Sequence, residues 1–204
     1  MFSGLLRWCE TALFFDEQPP RLRVCDGFAD VQVRNQFNEE FRFHRRFVRD
    51  GGALLINTMY TTCRGSCPVT NSVLESLRKS LWPIFGDRLS IVSLSVEPAI
   101  DVPEKLRSYA ESFGADRPRR NLCEWHFLTG TEKHVETLRR SLGFYDLDPR
   151  VDRDPTQHAA ALMFGNVTFD RWAVLPAASK ESQLITTIRR IAGFTFEERY
   201  GIPG

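Results

Sequence analysis

In the segment Thr61-Thr62-Cys63-Arg64-Gly65-Ser66-Cys67-Pro68, two cysteines are spaced C-x-x-x-C. On a helical turn that spacing puts both side chains on one face, so both sulfurs can reach a single ion or each other. A helix N-terminus favours negative charge, and Arg64 adds a cation beside both thiols. Both effects are expected to lower the thiol pKa and raise the thiolate fraction. These are conditions for metal ligation and for thiol chemistry alike. Taken alone, C-x-x-x-C is a weak motif, because free cysteine is often a small buried hydrophobe. Its surroundings strengthen it: an apolar run directly before the pair, a proline directly after it, and a place at the carboxyl end of a strand, where open α/β sheets bind ligands.

The elements that must position this segment follow from hydrophobic pattern. Ala53 to Tyr60 opens apolar on nearly every position, as a strand buried on both faces does, and Pro68 to Leu81 carries Val69, Val73, Leu74, Leu77 and Leu81 at helical spacing. A second buried strand is expected over Leu89 to Val96. After a turn at Glu97-Pro98 comes a helix over about Pro103 to Phe113, then a strand over Trp125 to Leu128 and a helix over Thr131 to Leu142 ended by Gly143. Upstream, Val31 to Val33 and Phe41 to Phe43 flank a turn-like stretch and predict a short leading hairpin. Downstream of an acidic loop from Asp146 to Pro155, Ala160 to Phe164 and Arg171 to Leu175 flank Gly165-Asn166 and predict a second hairpin, followed by a helix over Glu181 to Ile191. Strands alternating with helices of this length predict an α/β fold of thioredoxin-like order. It has a central, mainly parallel sheet with a terminal antiparallel hairpin, helices on both faces, and an extra N-terminal hairpin.

Composition narrows the partner. With 27 Lys+Arg against 26 Asp+Glu the net charge is +1, which gives no electrostatic reason to expect nucleic acid or an anionic membrane surface. No run of about 18 apolar residues is present, so no transmembrane segment is expected. In the first twenty residues Arg7 and Glu10 interrupt the apolar clusters and no small-residue cleavage site follows, so neither a signal peptide nor an anchor is read there. The chain divides into a tail over 1–26 and one domain over 27–204. Five cysteines is an odd number, so at least one thiol is unpaired within a monomer.

The motifs Asn57 to Pro68 (NTMYTTCRGSCP), Ser93 to Pro103 (SLSVEPAIDVP), Phe127 to Thr131 (FLTGT), Leu142 to Tyr145 with the loop up to Gln157-His158, and Arg171-Trp172 resemble, in order and spacing, those of the Sco/SenC family. The resemblance covers about residues 28 to 195. It implies a thioredoxin-like fold and a role in supplying copper to, or reducing cysteines of, the dinuclear copper centre of cytochrome c oxidase. It carries the family's two copper thiolates onto Cys63 and Cys67 and its histidine ligand onto His158. The implied cargo is Cu(I), with Cu(II) as a second state. The implied partner is a copper-receiving protein such as a cytochrome c oxidase subunit, and the implied location is periplasmic or facing the cell envelope. Thiolates are soft donors that select Cu(I), and an imidazole completes a low-coordinate site. Two departures are notable. Glu97 stands where the family commonly has aspartate in its S-x-D-P segment, with Asp101 retained, and Arg64 is an unusual residue between the ligands.

Other candidates carry less. His126 on a strand, His134 on a helix's polar side and His44 in a basic stretch read as structural or solvated, and Cys9, Cys25 and Cys123 as buried or incidental thiols, with a Cys25–Cys123 bridge left open. Asp146, Asp148, Asp152 and Asp154 lack the glycine and glutamate of a calcium loop and read as a solvated acidic loop. The alternative function is a thiol-disulfide oxidoreductase in which Cys63 and Cys67 cycle between dithiol and disulfide. A peroxiredoxin-like peroxidase would need Thr at position 60, where the chain has Tyr60.

Overall fold

The computed structural model describes residues 23–157 and 160–203. A five-stranded sheet in the order β5-β4-β3-β6-β7 divides the core. Its strands are β3 (Ala53–Met59), β4 (Leu89–Ser95), β5 (Glu124–Leu128), β6 (Ala161–Asn166) and β7 (Arg171–Pro176). β3, β4 and β5 pair in parallel, β6 runs antiparallel to β3, and β7 turns back along β6. Four strands therefore share one direction. The leading hairpin, β1 (Gln32–Arg34) and β2 (Glu40–Arg42), stands apart as its own small sheet.

The apolar run of β3 is buried on both sides, as its sequence predicts, because each face meets a different core. Ala53, Leu55 and Met59 pack with α2 (Ser66–Phe85), α3 (Pro103–Glu111) and α6 (Glu181–Ala192) through Leu74, Leu77, Leu81, Leu106, Leu184 and Ile188. Leu54 and Ile56 face α1 (Phe43–Phe47) and α4 (Glu132–Ser141) through Phe43, Phe47, Val135 and Leu138. The edge strand β5 is closed by a side chain rather than by another strand. Buried Gln36 donates to the carbonyls of Ala115 and Trp125 and accepts from the amide of Phe127, satisfying backbone that an open edge would leave free. Arg34 and Thr129 exchange two backbone bonds beside it.

Several boundaries move. The helix expected from Pro68 begins at Ser66, so Cys67 lies in its first turn while Cys63 stays in the preceding loop. Pro83 falls inside its C-terminal end, and Gly86 (φ 56°) stops it. The acidic stretch from Asp146 to Pro155 is not a plain solvated loop. It holds the one-turn α5 (Pro149–Arg153), and Asp152 is buried. A further helix, α7 (Phe196–Tyr200), follows α6 and is closed by a Thr195/Glu198 capping box. Cys25 and Cys123 are both free and belong to opposite cores, so no bridge joins them. Cys9 lies outside the described residues. Among the described residues no helix is long and apolar enough to cross a membrane.

The Gly165-Asn166 turn is also overturned. Both residues lie within β6, and the chain reverses over residues 167–170, where Asp170 takes the positive φ of 49°. Gly165 is needed for a different reason: a Cβ there would meet the Arg171 carbonyl and the Trp172 ring at 2.4 Å each. Gly165→Ala is therefore expected to cost about 1–3 kcal/mol of stability. Gly27→Ala, where a Cβ meets nothing within 4 Å, should change it by less than about 0.5 kcal/mol. Urea unfolding of the two variants checks the contrast, and equal stabilities would refute it.

Candidate functional site

Parallel pairing brings the loops that follow β3 and β4 to one edge of the sheet. The register aligns Met59 with Ser95, and the Val96 amide continues the ladder to the Met59 carbonyl at 2.9 Å. Because β6 is antiparallel to β3, its start at Ala161 belongs to the same edge. This is the carboxyl edge, where the cysteine segment was expected.

Asp101 ties the two loops together. It is fully buried, accepts from the Thr61 amide at 3.1 Å and from the Thr61 hydroxyl, and accepts from Ser95 Oγ at 2.6 Å. Glu97 adds a second tie: Thr62 Oγ1 donates to its Oε2 at 3.0 Å, and its own amide donates to Ser95 Oγ at 3.1 Å. The glutamate that departs from the family's aspartate thus holds the residue before Cys63. The Cys63 amide donates to the Tyr60 carbonyl at 3.2 Å and closes the turn.

Beneath the loops runs a buried polar network. Trp125 Nε1 donates to Ser93 Oγ at 2.9 Å, and Ser93 Oγ donates to Asn57 Oδ1 at 2.7 Å. Asn57 Nδ2 reaches Asn71 Oδ1 at 3.4 Å, and Asn71 Nδ2 donates to Tyr109 Oη at 3.1 Å. Asn71 lies one turn below Cys67 on the same helix face, so this chain fixes the rotation of α2 about its axis and the direction in which Cys67 points.

Cys63 and Cys67 are brought together, both as free thiols, but not as a pair on one helical turn. Cys63 is half-buried and Cys67 is buried. Their acidities are shifted in opposite directions, contrary to the expectation that both would be acidified. For Cys63, burial pushes the thiol up, and this is outweighed by hydrogen bonds to its sulfur from the Cys67 side chain, from the Cys67 and Gly65 amides and from the Tyr60 hydroxyl, leaving it below the ordinary thiol value. Burial, then the bond with Cys63, pushes Cys67 up to about 12. Tyr60 is itself raised, first by its bond to Cys63 and then by burial. Arg64 is exposed and is not among the leading causes for either thiol.

His158 lies outside the described residues. The described residues flanking it are Gln157, which shares with Thr58 a pocket of about 170 Å³, and Ala160, whose carbonyl accepts from the Ala177 amide at 2.8 Å. Among the described residues no group of three or more His, Cys, Asp or Glu could hold a metal ion. The lesser histidines are placed as expected. His126 is buried between the Phe41 and Phe47 rings and contacts Glu124 at 3.1 Å, and His134 Nδ1 lies 3.0 Å from the Gln32 carbonyl.

The sequence left Asp101 without a role, pointed to Tyr60 only as a residue a peroxidase would not have, and gave no role to the Asn57 and Asn71 side chains. A signal existed for Asn71, which is a polar residue at a core-facing position of an amphipathic helix. Tyr60 had none, since its task depends on a sulfur three residues away in a turn.

A family model described as SCO1/SenC matches residues 36–193 of the chain. Among solved structures, the fold is similar to that of a SCO1/SenC family lipoprotein from Bacillus anthracis str. Ames. Identity is 18% and the TM-score 0.61, over 80% of this chain and 94% of that one. Yeast Sco1 with copper bound matches at 17% identity and a TM-score of 0.60, over 79% of this chain and 89% of that one. BsSco, described with a disulfide switch and as a member of the Sco family of cytochrome c oxidase assembly proteins, matches at 20% identity and a TM-score of 0.57, over 83% and 93%. The thioredoxin-like architecture with its added hairpin agrees with these neighbours. No curated protein sequence matches the chain.

The asymmetry of the thiols gives a measurable profile. Iodoacetamide should label Cys63 first, with a rate midpoint below that of an unperturbed thiol, and leave Cys67 nearly unlabelled at neutral pH. Tyr60→Phe removes one donor to the Cys63 sulfur, so it should raise that midpoint and slow labelling, whereas Arg64→Ala should change little. Peptide-mapped rates over a pH series check this. A larger effect of Arg64→Ala than of Tyr60→Phe would show that charge, not hydrogen bonding, sets the thiol.

Proposed function

The chain belongs to the SCO1/SenC family, and from that premise we propose that it is a copper chaperone of cytochrome c oxidase assembly, binding one Cu(I) through Cys63, Cys67 and His158. The observation that carries the reading is the meeting of two free thiols, one half-buried and one buried, at the carboxyl edge of the sheet. Two sulfurs are a soft donor set, matched to Cu(I) above the harder divalent ions. Cys63 enters as the more readily formed thiolate, and Cys67 gives up its proton on binding, because metal ligation requires the thiolate. His158 supplies the third donor, and its imidazole would also serve Cu(II). The partner is a copper-receiving protein such as a cytochrome c oxidase subunit. The location is facing the cell envelope, in keeping with a lipoprotein among the structural neighbours.

A second reading is favoured by the same asymmetry. An accessible thiol of lowered pKa beside a buried thiol of raised pKa is the arrangement of an attacking and a resolving cysteine. In that reading Cys63 thiolate attacks a partner's disulfide and one partner sulfur leaves as thiolate. Cys67, losing its proton, then attacks Cys63 of the mixed disulfide. The partner leaves as a dithiol and the chain as a Cys63–Cys67 disulfide, two electrons having passed. A neighbour described with a disulfide switch supports it.

Anaerobic competition with a Cu(I) chelator separates the readings. One Cu(I) per monomer is expected. Tight binding should be abolished by Cys63→Ser or Cys67→Ser, weakened by His158→Ala to a two-sulfur site, and unaltered by Cys123→Ser, whose thiol lies in the core beside Arg78. The oxidised protein should capture copper only after reduction. Unchanged affinity in Cys67→Ser would sink the copper reading, and disulfide reduction that turns over normally in His158→Ala while copper binding is weakened would assign that activity to the thiols alone.

A further inference from the structure

The sheet has two edges, and the chain treats them differently. Beside β5, the Gln36 side chain and the Arg34–Thr129 bonds take up outward backbone groups. At the other edge β7 pairs with β6 on one side only, and no described strand lies beyond it.

The register fixes which groups of β7 face outward. Ala161 pairs with Pro176 and the pairing runs unbroken to Asn166 and Arg171, with the Ala177 amide donating to the Ala160 carbonyl at 2.8 Å. In an antiparallel ladder, opposite residues alternate between pairs that exchange both backbone bonds and pairs that exchange none. Counted from Ala160 and Ala177, the bonded pairs are Leu162 with Leu175, Phe164 with Ala173 and Asn166 with Arg171. Trp172 and Val174 therefore turn their N–H and C=O groups away from β6. Among the described residues no hydrogen bond reaches those four groups, whereas the Pro176 carbonyl, also outward, accepts from the Ser179 amide at 3.0 Å.

Little in the strand discourages a further strand. Edges are commonly guarded by a lysine, a bulge or a proline within the run. Here the register has no bulge, Trp172 to Leu175 carry no charge, and the one proline closes the strand's end. Val174, a β-branched apolar residue, is 59% exposed on this rim, and Trp172 is half-buried.

The free groups are self-complementary. A two-fold axis at Ala173, perpendicular to the sheet, brings the β7 strands of two copies together antiparallel, with Trp172 of each copy opposite Val174 of the other. Each such pair exchanges both bonds, so all four free groups of each copy are satisfied. The same pairing sets Val174 beside the Trp172 side chain, an aromatic and β-branched cross-strand contact. Arg171, the one charge in the strand, falls opposite Leu175 and about 14 Å along the strand from its counterpart, and its Nη2 is drawn off to the Gly193 carbonyl at 2.6 Å. A second copy thus meets the free groups, the apolar contact and the charge spacing with the same six residues.

We propose that the outer edge of β7 is a homodimer interface, joining two five-stranded sheets into one continuous sheet. Within a copy β7 runs parallel to β3, because β6 is antiparallel to both. In the dimer the two carboxyl edges therefore point in opposite directions, and each cysteine segment stays open and independent of the other. One strand from each copy makes a smaller contact than a permanent interface, so the dimer dissociates on dilution through the micromolar range.

The test uses the reduced full chain. Sedimentation velocity over a dilution series reads the mass, amide hydrogen exchange resolved by NMR reads the edge, and iodoacetamide labelling of Cys63 reads the cysteine segment. The expected result is a monomer–dimer equilibrium in which the Trp172 and Val174 amides become more protected as concentration rises, while Cys63 is labelled at one rate throughout. Val174→Lys puts a charge on the edge, and Val174→Pro removes an N–H that β6 does not use. Either should weaken dimerisation about tenfold or more. Should Val174→Pro fail to fold, Val174→Lys, a change at an exposed side chain, carries the test alone. A monomer at millimolar concentration overturns the proposal, as does a folded Val174→Lys that dimerises like the wild type. So does a dimer whose Trp172 and Val174 amides gain no protection, or one in which Cys63 labelling slows, since the contact would then lie elsewhere. Protection of the two amides in a protein that stays monomeric would show that the chain covers its own edge, and refutes the dimer equally.

Discussion

The buried carboxylate of Asp101 is the constraint on which the cysteine segment depends. The loop from Tyr60 to Gly65 leaves the end of β3 with no strand to pair with, and the half-buried Thr61 amide at its start needs an acceptor. Asp101 supplies one to Thr61, takes the Thr61 hydroxyl as well, and is held in turn by Ser95 at the end of the neighbouring strand. Because β3 and β4 are parallel and in register to their last residues, this single side chain can span both loops. Substituting an apolar residue would leave the Thr61 amide and the Ser95 hydroxyl proton without acceptors, costing about 1–3 kcal/mol for each such group.

The network below it works at the next level of order. Apolar faces such as those of Leu74, Leu77 and Leu81 hold α2 on the sheet but say little about its rotation by a few tens of degrees. A linked set of directional bonds from Trp125 through Ser93, Asn57 and Asn71 to Tyr109 does, since each donor must meet its acceptor. It crosses three strands and two helices, so the direction of Cys67 is referred to the whole sheet rather than to its own turn.

Much of this was legible in the sequence where one periodicity dominated. β3, β4 and the leading hairpin lie within a residue or so of their expected spans, because an apolar run between glycines or an alternating pattern admits few other placements. The errors came where a distant partner overrode a local signal. Gly165-Asn166 reads as a turn until Trp172 is known to lie across it, and the aspartates from 146 to 154 read as solvated until Arg139 and Arg140 are brought against one of them. At the site itself, the cysteine pair was visible from spacing and family resemblance, but its electrostatics was not. Arg64 looked like the acidifying group because it is adjacent in sequence, whereas the hydrogen bonds that lower Cys63 come from a tyrosine, two amides and the other thiol.

Those bonds also bear on how one pair of sulfurs could serve either of the two proposed chemistries. Every donor to the Cys63 sulfur stabilises its thiolate, and one of those donors is the proton on Cys67, so the same hydrogen bond lowers one thiol and raises the other. In the proposed copper reading, a monovalent soft cation would reverse the arrangement by replacing the shared proton, its charge stabilising both thiolates at once. Loss of two electrons removes the proton differently, by joining the sulfurs, and leaves no thiolate for a metal. In the two readings proposed above, metal binding and disulfide formation would both use the thiolates of Cys63 and Cys67, so each would exclude the other.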